Sequence, residues 1–139
     1  MAYEEALKSI SLDADSSLAE WTSVPGQPGS ADPNTGKMFR FVKVTGAHQV
    51  GLAVAAANEI TVGVMQNKPQ VVGQAATVAI SGVSNVVAGG TVAAGDGIKV
   101  DGAGKGVKAT AGTDETITVG VALGSAAAGQ LFPCLLRLR

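Results

Sequence analysis

The chain has 139 residues, the size of one ordinary domain with a real core. Charged residues make up 15% and hydrophobic residues 46%, with 19 Gly, which excludes a long disordered chain. The net charge of −1 provides no overall basic field for nucleic acid, and five aromatics (Tyr3, Trp21, Phe39, Phe41, Phe132) are too few for a base-stacking platform.

In chain order, Tyr3, Leu7 and Ile10 fall near helical spacing and predict a short helix within residues 1–18, interrupted by Ser9, Ser11, Ser16 and Ser17. This stretch has neither the basic start nor the apolar run of a secretory signal, so a soluble protein made in a cytosol is expected. Residues 1–32 carry Glu4, Glu5, Asp13, Asp15, Glu20 and Asp32 against Lys8, a net of −5, whereas residues 33–139 sum to +4. Two readings stay open: a solvated arm, or an acidic arm lying on a basic surface of its own body or of a neighbour. Val24-Pro25-Gly26-Gln27-Pro28-Gly29-Ser30 and Asp32-Pro33-Asn34-Thr35-Gly36 are turn and breaker residues. Residues 1–36 therefore read as an N-terminal arm and linker, and 37–139 as a single β domain.

From Lys37 onward, short runs rich in Val, Ile and Thr alternate with Gly-containing connectors. Strands are expected at 39–44, 51–55, 60–64, 75–80, 85–87, 97–100, 107–110, 116–121 and 131–138. No apolar run is long enough to cross a bilayer as a helix. The pattern predicts an all-β fold, a small β-barrel or a tulip-like pair of sheets.

An internal repeat organises this region. Ile60-Thr61-Val62-Gly63-Val64 recurs as Ile117-Thr118-Val119-Gly120-Val121. Val42-Lys43-Val44-Thr45-Gly46-Ala47 aligns with Ile98-Lys99-Val100-Asp101-Gly102-Ala103, Gly51-Leu52 with Gly106-Val107, Glu59 with Glu115, and Gly73-Gln74 with Gly129-Gln130. The offset stays between 55 and 57. A duplication follows, with halves at about 39–80 and 96–138 joined by 81–95. Thr45-Gly46 and Asp101-Gly102 are hairpin signals that supply positive φ. Gly63 and Gly120, inside strands, predict a bend or a close backbone approach.

No catalytic constellation is present in the sequence. His48 is the only histidine and sits beside a turn, where a surface residue is expected. One His and one Cys make no zinc site, and Asp96 with Asp101 makes no calcium loop. Gly104-Lys105 lacks both the preceding Gly and the following Ser or Thr of a phosphate-binding loop. Cys134, in an apolar run, reads as a small core residue, and a lone cysteine allows no disulfide within the chain. No cofactor, no metal, no catalytic residue and no enzymatic activity are expected.

Gly90-Thr91-Val92-Ala93-Ala94-Gly95-Asp96-Gly97-Ile98-Lys99-Val100-Asp101 is followed by Gly104-Lys105-Gly106-Val107-Lys108-Ala109, then by Ile117 to Leu123 and Ala126-Ala127-Ala128-Gly129. This cadence resembles the C-terminal halves of tailed-phage head decoration, or capsid cement, proteins over roughly residues 40–139. The resemblance implies a β-barrel-like subunit on the capsid exterior of a virion, often a homotrimer. Its partner would be the major capsid protein, with neither nucleic acid nor membrane, and its role to stabilise the shell by adding contacts between capsid subunits. Tyr3, Leu7, Ile10, Leu12 and Trp21 are the large apolar groups outside the expected β core, so they are candidate contacts to capsid or to a neighbouring subunit. Removing residues 1–20 is then expected to weaken attachment while leaving 37–139 folded. Other readings are a tail-tube subunit, a head-fibre base or a carbohydrate-binding β module, the last disfavoured by the shortage of aromatics.

Overall fold

The computed structural model describes residues 7–19 and 37–138. Strands β1 (Lys8–Ala14), β2 (Phe41–Gly46), β3 (Gln49–Leu52), β4 (Thr61–Met65) and β5 (Ala75–Ser81) form a closed barrel in the order β1-β3-β2-β4-β5. Strands β6 (Val83–Val87), β7 (Gly97–Val100), β8 (Gly106–Lys108), β9 (Gly120–Ala122) and β10 (Leu131–Leu136) form a second sheet in the order β6-β10-β9-β7-β8. A single 3₁₀ turn, Glu115–Ile117, precedes β9. The expected all-β class is what these residues adopt.

The two units repeat one strand order and pairing. Both units place their first strand beside their fifth, then fourth, second and third. Val42 faces Gly63 across β2–β4, and Ile98 faces Gly120 across β7–β9. Val64 faces Ala79, and Val121 faces Leu135. The first barrel closes by parallel pairing of Ala14 with Val50, and the second sheet curls until Ala88 bridges Gly106, also in parallel. Even the closing hydrogen bonds recur: Asp15 N–H donates to Val50 O and Gly89 N–H to Gly106 O, each at 2.9 Å. The molecule is a closed barrel followed by a curled five-stranded sheet with the same strand order.

Five expectations need correction. No helix forms within the described part of residues 1–18, because Ser9-Ile10-Ser11-Leu12-Asp13-Ala14 alternates with a period of two. As β1 it pairs antiparallel with six residues of β5. An arm reaching to residue 36 therefore does not describe residues 8–18, which belong to the barrel and bury Ala14 and Leu18 completely. Each half also begins one strand earlier than expected, at β1 and at β6, so the joining segment 81–95 contains a strand and only Gly82 separates the units.

The other two corrections concern register. Lys43 faces Gly51 and Lys99 faces Val107, so Val107, not Gly106, takes the place of Gly51. The left-handed turn residues are His48 (φ 53) and Gly104 (φ 73), which are equivalent to each other, and not Gly46 or Gly102.

Two hydrophobic clusters result. Ala14, Leu18, Val42, Val50, Met65, Ala76 and Val78 fill the first barrel. The larger cluster joins the first barrel's outer residues Phe41, Ala53, Val64 and Ala79 to the second unit's Val86, Ile98, Ala122, Phe132, Cys134 and Leu136. One unit thus packs its wall against the interior of the other. Two main-chain bonds fasten the seam, Phe41 N–H to Gly104 O at 2.7 Å and Val87 N–H to Phe39 O at 3.0 Å. Arg40, at the start of β2, is buried there and donates from Nη1 to Ala103 O at 3.2 Å. Burial depresses its pKa, and the nearby Asp101 carboxylate opposes that effect.

The two interior glycines serve close approach. A Cβ on Gly63 would meet Ala79 O, and one on Gly120 would lie 2.6 Å from the equivalent Leu135 O. Backbone cannot yield as a flexible side chain does, so both strands need Gly for steric reasons.

Candidate interaction surface

The third and fourth strands of each unit are joined by a loop that a carboxylate shapes from within. Glu59 Oε1 accepts from Val54 N–H at 2.9 Å and Ala55 N–H at 3.0 Å, while its Oε2 binds Lys43 Nζ at 2.7 Å. In the second unit Asp114 Oδ2 accepts from Thr110 N–H at 2.7 Å and from Lys99 Nζ at 2.8 Å. Asp114, rather than the aligned Glu115, is thus the counterpart of Glu59. A shorter side chain one residue earlier reaches the same lysine.

Burial works against the charge on Glu59, but the bonds from Lys43, Val54 and Ala55 outweigh it and hold the carboxyl below its usual range. The bond from Lys99 and then the Thr110 amide do the same for Asp114. Both groups have lower pKa values folded than unfolded. Their contribution is therefore complete well above pH 4.5, the ordinary value for Glu59, and is lost as pH falls through the folded values. Thermal melts should show wild-type protein losing stability on acidification below about pH 4.5. A Glu59→Gln/Asp114→Asn variant should start lower at pH 7 and decline less over the same interval. Parallel curves for the two proteins would refute this assignment.

Between these two loops lies an apolar groove of about 620 Å³, lined by residues 55–61, Val100 and 116–119. The repeated isoleucines stand on its walls and face solvent, Ile60 at 72% and Ile117 at 54% exposure. Sequence reading found the repeat but missed the groove, because its strands were placed without their spatial order.

The expected contact residues divide. Tyr3 and Trp21 lie outside the described residues. Leu7 packs against the larger core and Leu12 against the barrel core, so the premise that they stand outside the β core does not hold. Ile10 alternates in register with Leu12 along β1 and remains 39% exposed. Of the described three, Leu7 and Leu12 pack on the two cores and Ile10 stays partly exposed.

His48 is exposed in the β2–β3 turn, where its carbonyl accepts from Asp13 N–H at 2.7 Å. Cys134 is fully buried, at the position equivalent to Val78, and burial pushes its thiol up to about 12. Such a thiol is a packing residue, not a nucleophile. Among the described residues no group of three or more His, Cys, Asp or Glu is placed to hold a metal ion, and no helix is long and apolar enough to cross a membrane.

The fold is that of a two-unit β protein, a closed barrel and a second five-stranded sheet of the same order, with an apolar groove between the two halves. A solved structure of this kind is the head fibre gp8.5 N base of bacteriophage phi29, with a TM-score of 0.62 and 18% sequence identity. The match covers 95% of each chain, so the whole tandem is shared. No protein-family model and no curated protein matches the sequence.

Proposed function

We propose that this chain is a non-enzymatic structural protein of a tailed-phage particle, attached to the outside of the capsid through the major capsid protein. The observation that carries this reading is the likeness of the entire two-unit β fold to a phage head-fibre base. The decoration-protein cadence of residues 90–129 supports it independently. In the finer reading the protein is a cement: homotrimeric copies bridge capsid subunits and stabilise the shell without contacting nucleic acid or membrane. Linking several weak contacts in one oligomer makes such attachment firm. The same structural likeness favours a second reading, the base of a head fibre, which shares the capsid exterior but leaves the shell's stability unchanged.

Co-sedimentation with expanded shells that lack this protein tests both readings. The cement reading expects saturable binding at a lattice-matched ratio and a higher melting temperature of the shell. Binding without stabilisation selects the fibre base. No sedimentation with shells overturns attachment altogether.

A further inference from the structure

The two equivalent first strands, β1 and β6, differ in how they are tethered. Strand β6 follows β5 after Gly82 alone. Its path to β7 is fastened by the Val92–Ala126 bridge and by Gly95 N–H donating to Ala122 O at 2.7 Å. It has no freedom to leave its unit. Strand β1 has no preceding strand among the described residues. It is connected to β2 through residues 15–40, which include Pro25, Gly26, Pro28, Gly29, Pro33 and Gly36.

The second unit makes the same connection, from Ala88 to Gly97, with residues 89–96. Since Ala88 and Gly97 occupy the positions of Ala14 and Phe41, a connection of that length suffices within one barrel. The first unit's connection greatly exceeds it. Residues 20–36 alone reach up to about 60 Å when extended, more than ten times the ~4.8 Å spacing of neighbouring strands.

The strand itself is suited to being handed over. Its attachment consists of main-chain pairing with β5, two pairs with β3, and a few anchors. Ala14 and Leu18 are fully buried, and Ser17 Oγ accepts from Leu52 N–H at 2.7 Å. Residues 7–19 therefore act as a plug with its own anchors. Each of these contacts is the same whether the plug comes from the same chain or another, so exchange sacrifices no bond. Proximity decides, and an adjoining copy in an assembly offers an effective concentration comparable to that of a long tether.

We infer that residues 7–19 are exchanged between neighbouring copies of this chain, each copy closing the first barrel of the next with its β1. This concerns how copies join, and it stands apart from the capsid reading. Ser11 and Thr77 are partners across β1–β5, within the reach of a disulfide. A tagged Ser11→Cys chain and an untagged Thr77→Cys chain are co-expressed, oxidised and separated without reductant. The expected result is a covalent tagged–untagged pair, which wild-type protein with its buried Cys134 does not form. The double variant Ser11→Cys/Thr77→Cys is expected to give covalent multimers whose size reports the number of copies joined. The exposed pair Asp13→Cys and Ala75→Cys, also in register, repeats the test should the first pair disturb folding. A double variant that closes its disulfide within one chain, or no mixed pair at either position, overturns exchange.

Discussion

A chain that begins at residue 15 is expected to lose its cooperative fold. Truncation removes β1 and with it the antiparallel ladder along β5 and the parallel closure on β3. Strand β5 would then present a row of unpaired main-chain groups, an edge that invites aggregation. Ala14 would no longer cover the barrel interior, leaving Val50, Ala76 and Val78 open to solvent at that seam. The loss does not stay in one half, because Phe41, Val64 and Ala79 pack into the second unit's core. Destabilisation on the order of 4 kcal/mol or more is expected, the magnitude reserved for broken cores and networks. Urea titration followed by circular dichroism, together with a sizing column, measures it. A truncated chain that stays monomeric and melts like the full protein would return residues 1–14 to the status of a dispensable arm. If β1 is supplied by a neighbour, an added peptide of residues 7–19 should restore part of the lost transition.

The second large effect concerns how the two barrels fill the same volume differently. The first barrel sets Val50 beside Ala14 and pairs Ala76 with Leu12. At the equivalent places the second unit has Gly106 and Phe132. A Cβ on Gly106 would lie 2.9 Å from both Phe132 Cζ and Val86 Cγ1, so the ring occupies the space that a valine fills in the other half. Phe132→Ala alone should cost about 3–5 kcal/mol through the cavity it leaves. Gly106→Val alone should cost about 1–3 kcal/mol or more through overpacking. The double variant recreates the combination of the first barrel and should recover about 1–2 kcal/mol relative to the sum, the coupling expected of residues in direct contact. Denaturant melts of the four proteins close the cycle. Strict additivity would refute the compensation.

What the sequence revealed follows from where the repeat kept its residues. Ile-Thr-Val-Gly-Val survives in both halves because Gly63 and Gly120 face the same backbone obstruction, and that constraint preserves the segment around them. Lys43 and Lys99 survive because each has a carboxylate to bind. The first strands were hidden for the opposite reason. Between Ser-Ile-Ser-Leu-Asp-Ala and Val-Ser-Asn-Val-Val-Ala only the final alanine agrees, since main-chain pairing fixes the position and leaves the side chains free. The alternation of Ile10, Leu12 and Ala14 was the available signal. Spacing of Tyr3, Leu7 and Ile10 obscured it, and the Pro/Gly stretch after Ala19 suggested a detached arm. The groove was not readable at all, because it depends on two loops brought together by topology. Ile60 and Ile117 are separated along the chain by most of one unit and meet only because each follows the third strand of its barrel.

Lys8 pairs with Ser81 at the start of β1, and Leu136 N–H donates to Gly82 O at the end of β10. The first and last strands therefore begin and end beside the same one-residue junction, and Leu7 and Leu138 both pack on the core shared by the two barrels. In engineering terms the two described ends share one side of the body. Residues 7 and 138 therefore lie close together in the described body, at the opposite end of β1 from the β2–β3 turn. A peptide fused at either end would be presented in nearly the same orientation. In a copy that keeps β1 in its own barrel, a short linker from residue 138 to residue 7 would permit a rearranged chain that keeps every strand partner shown here.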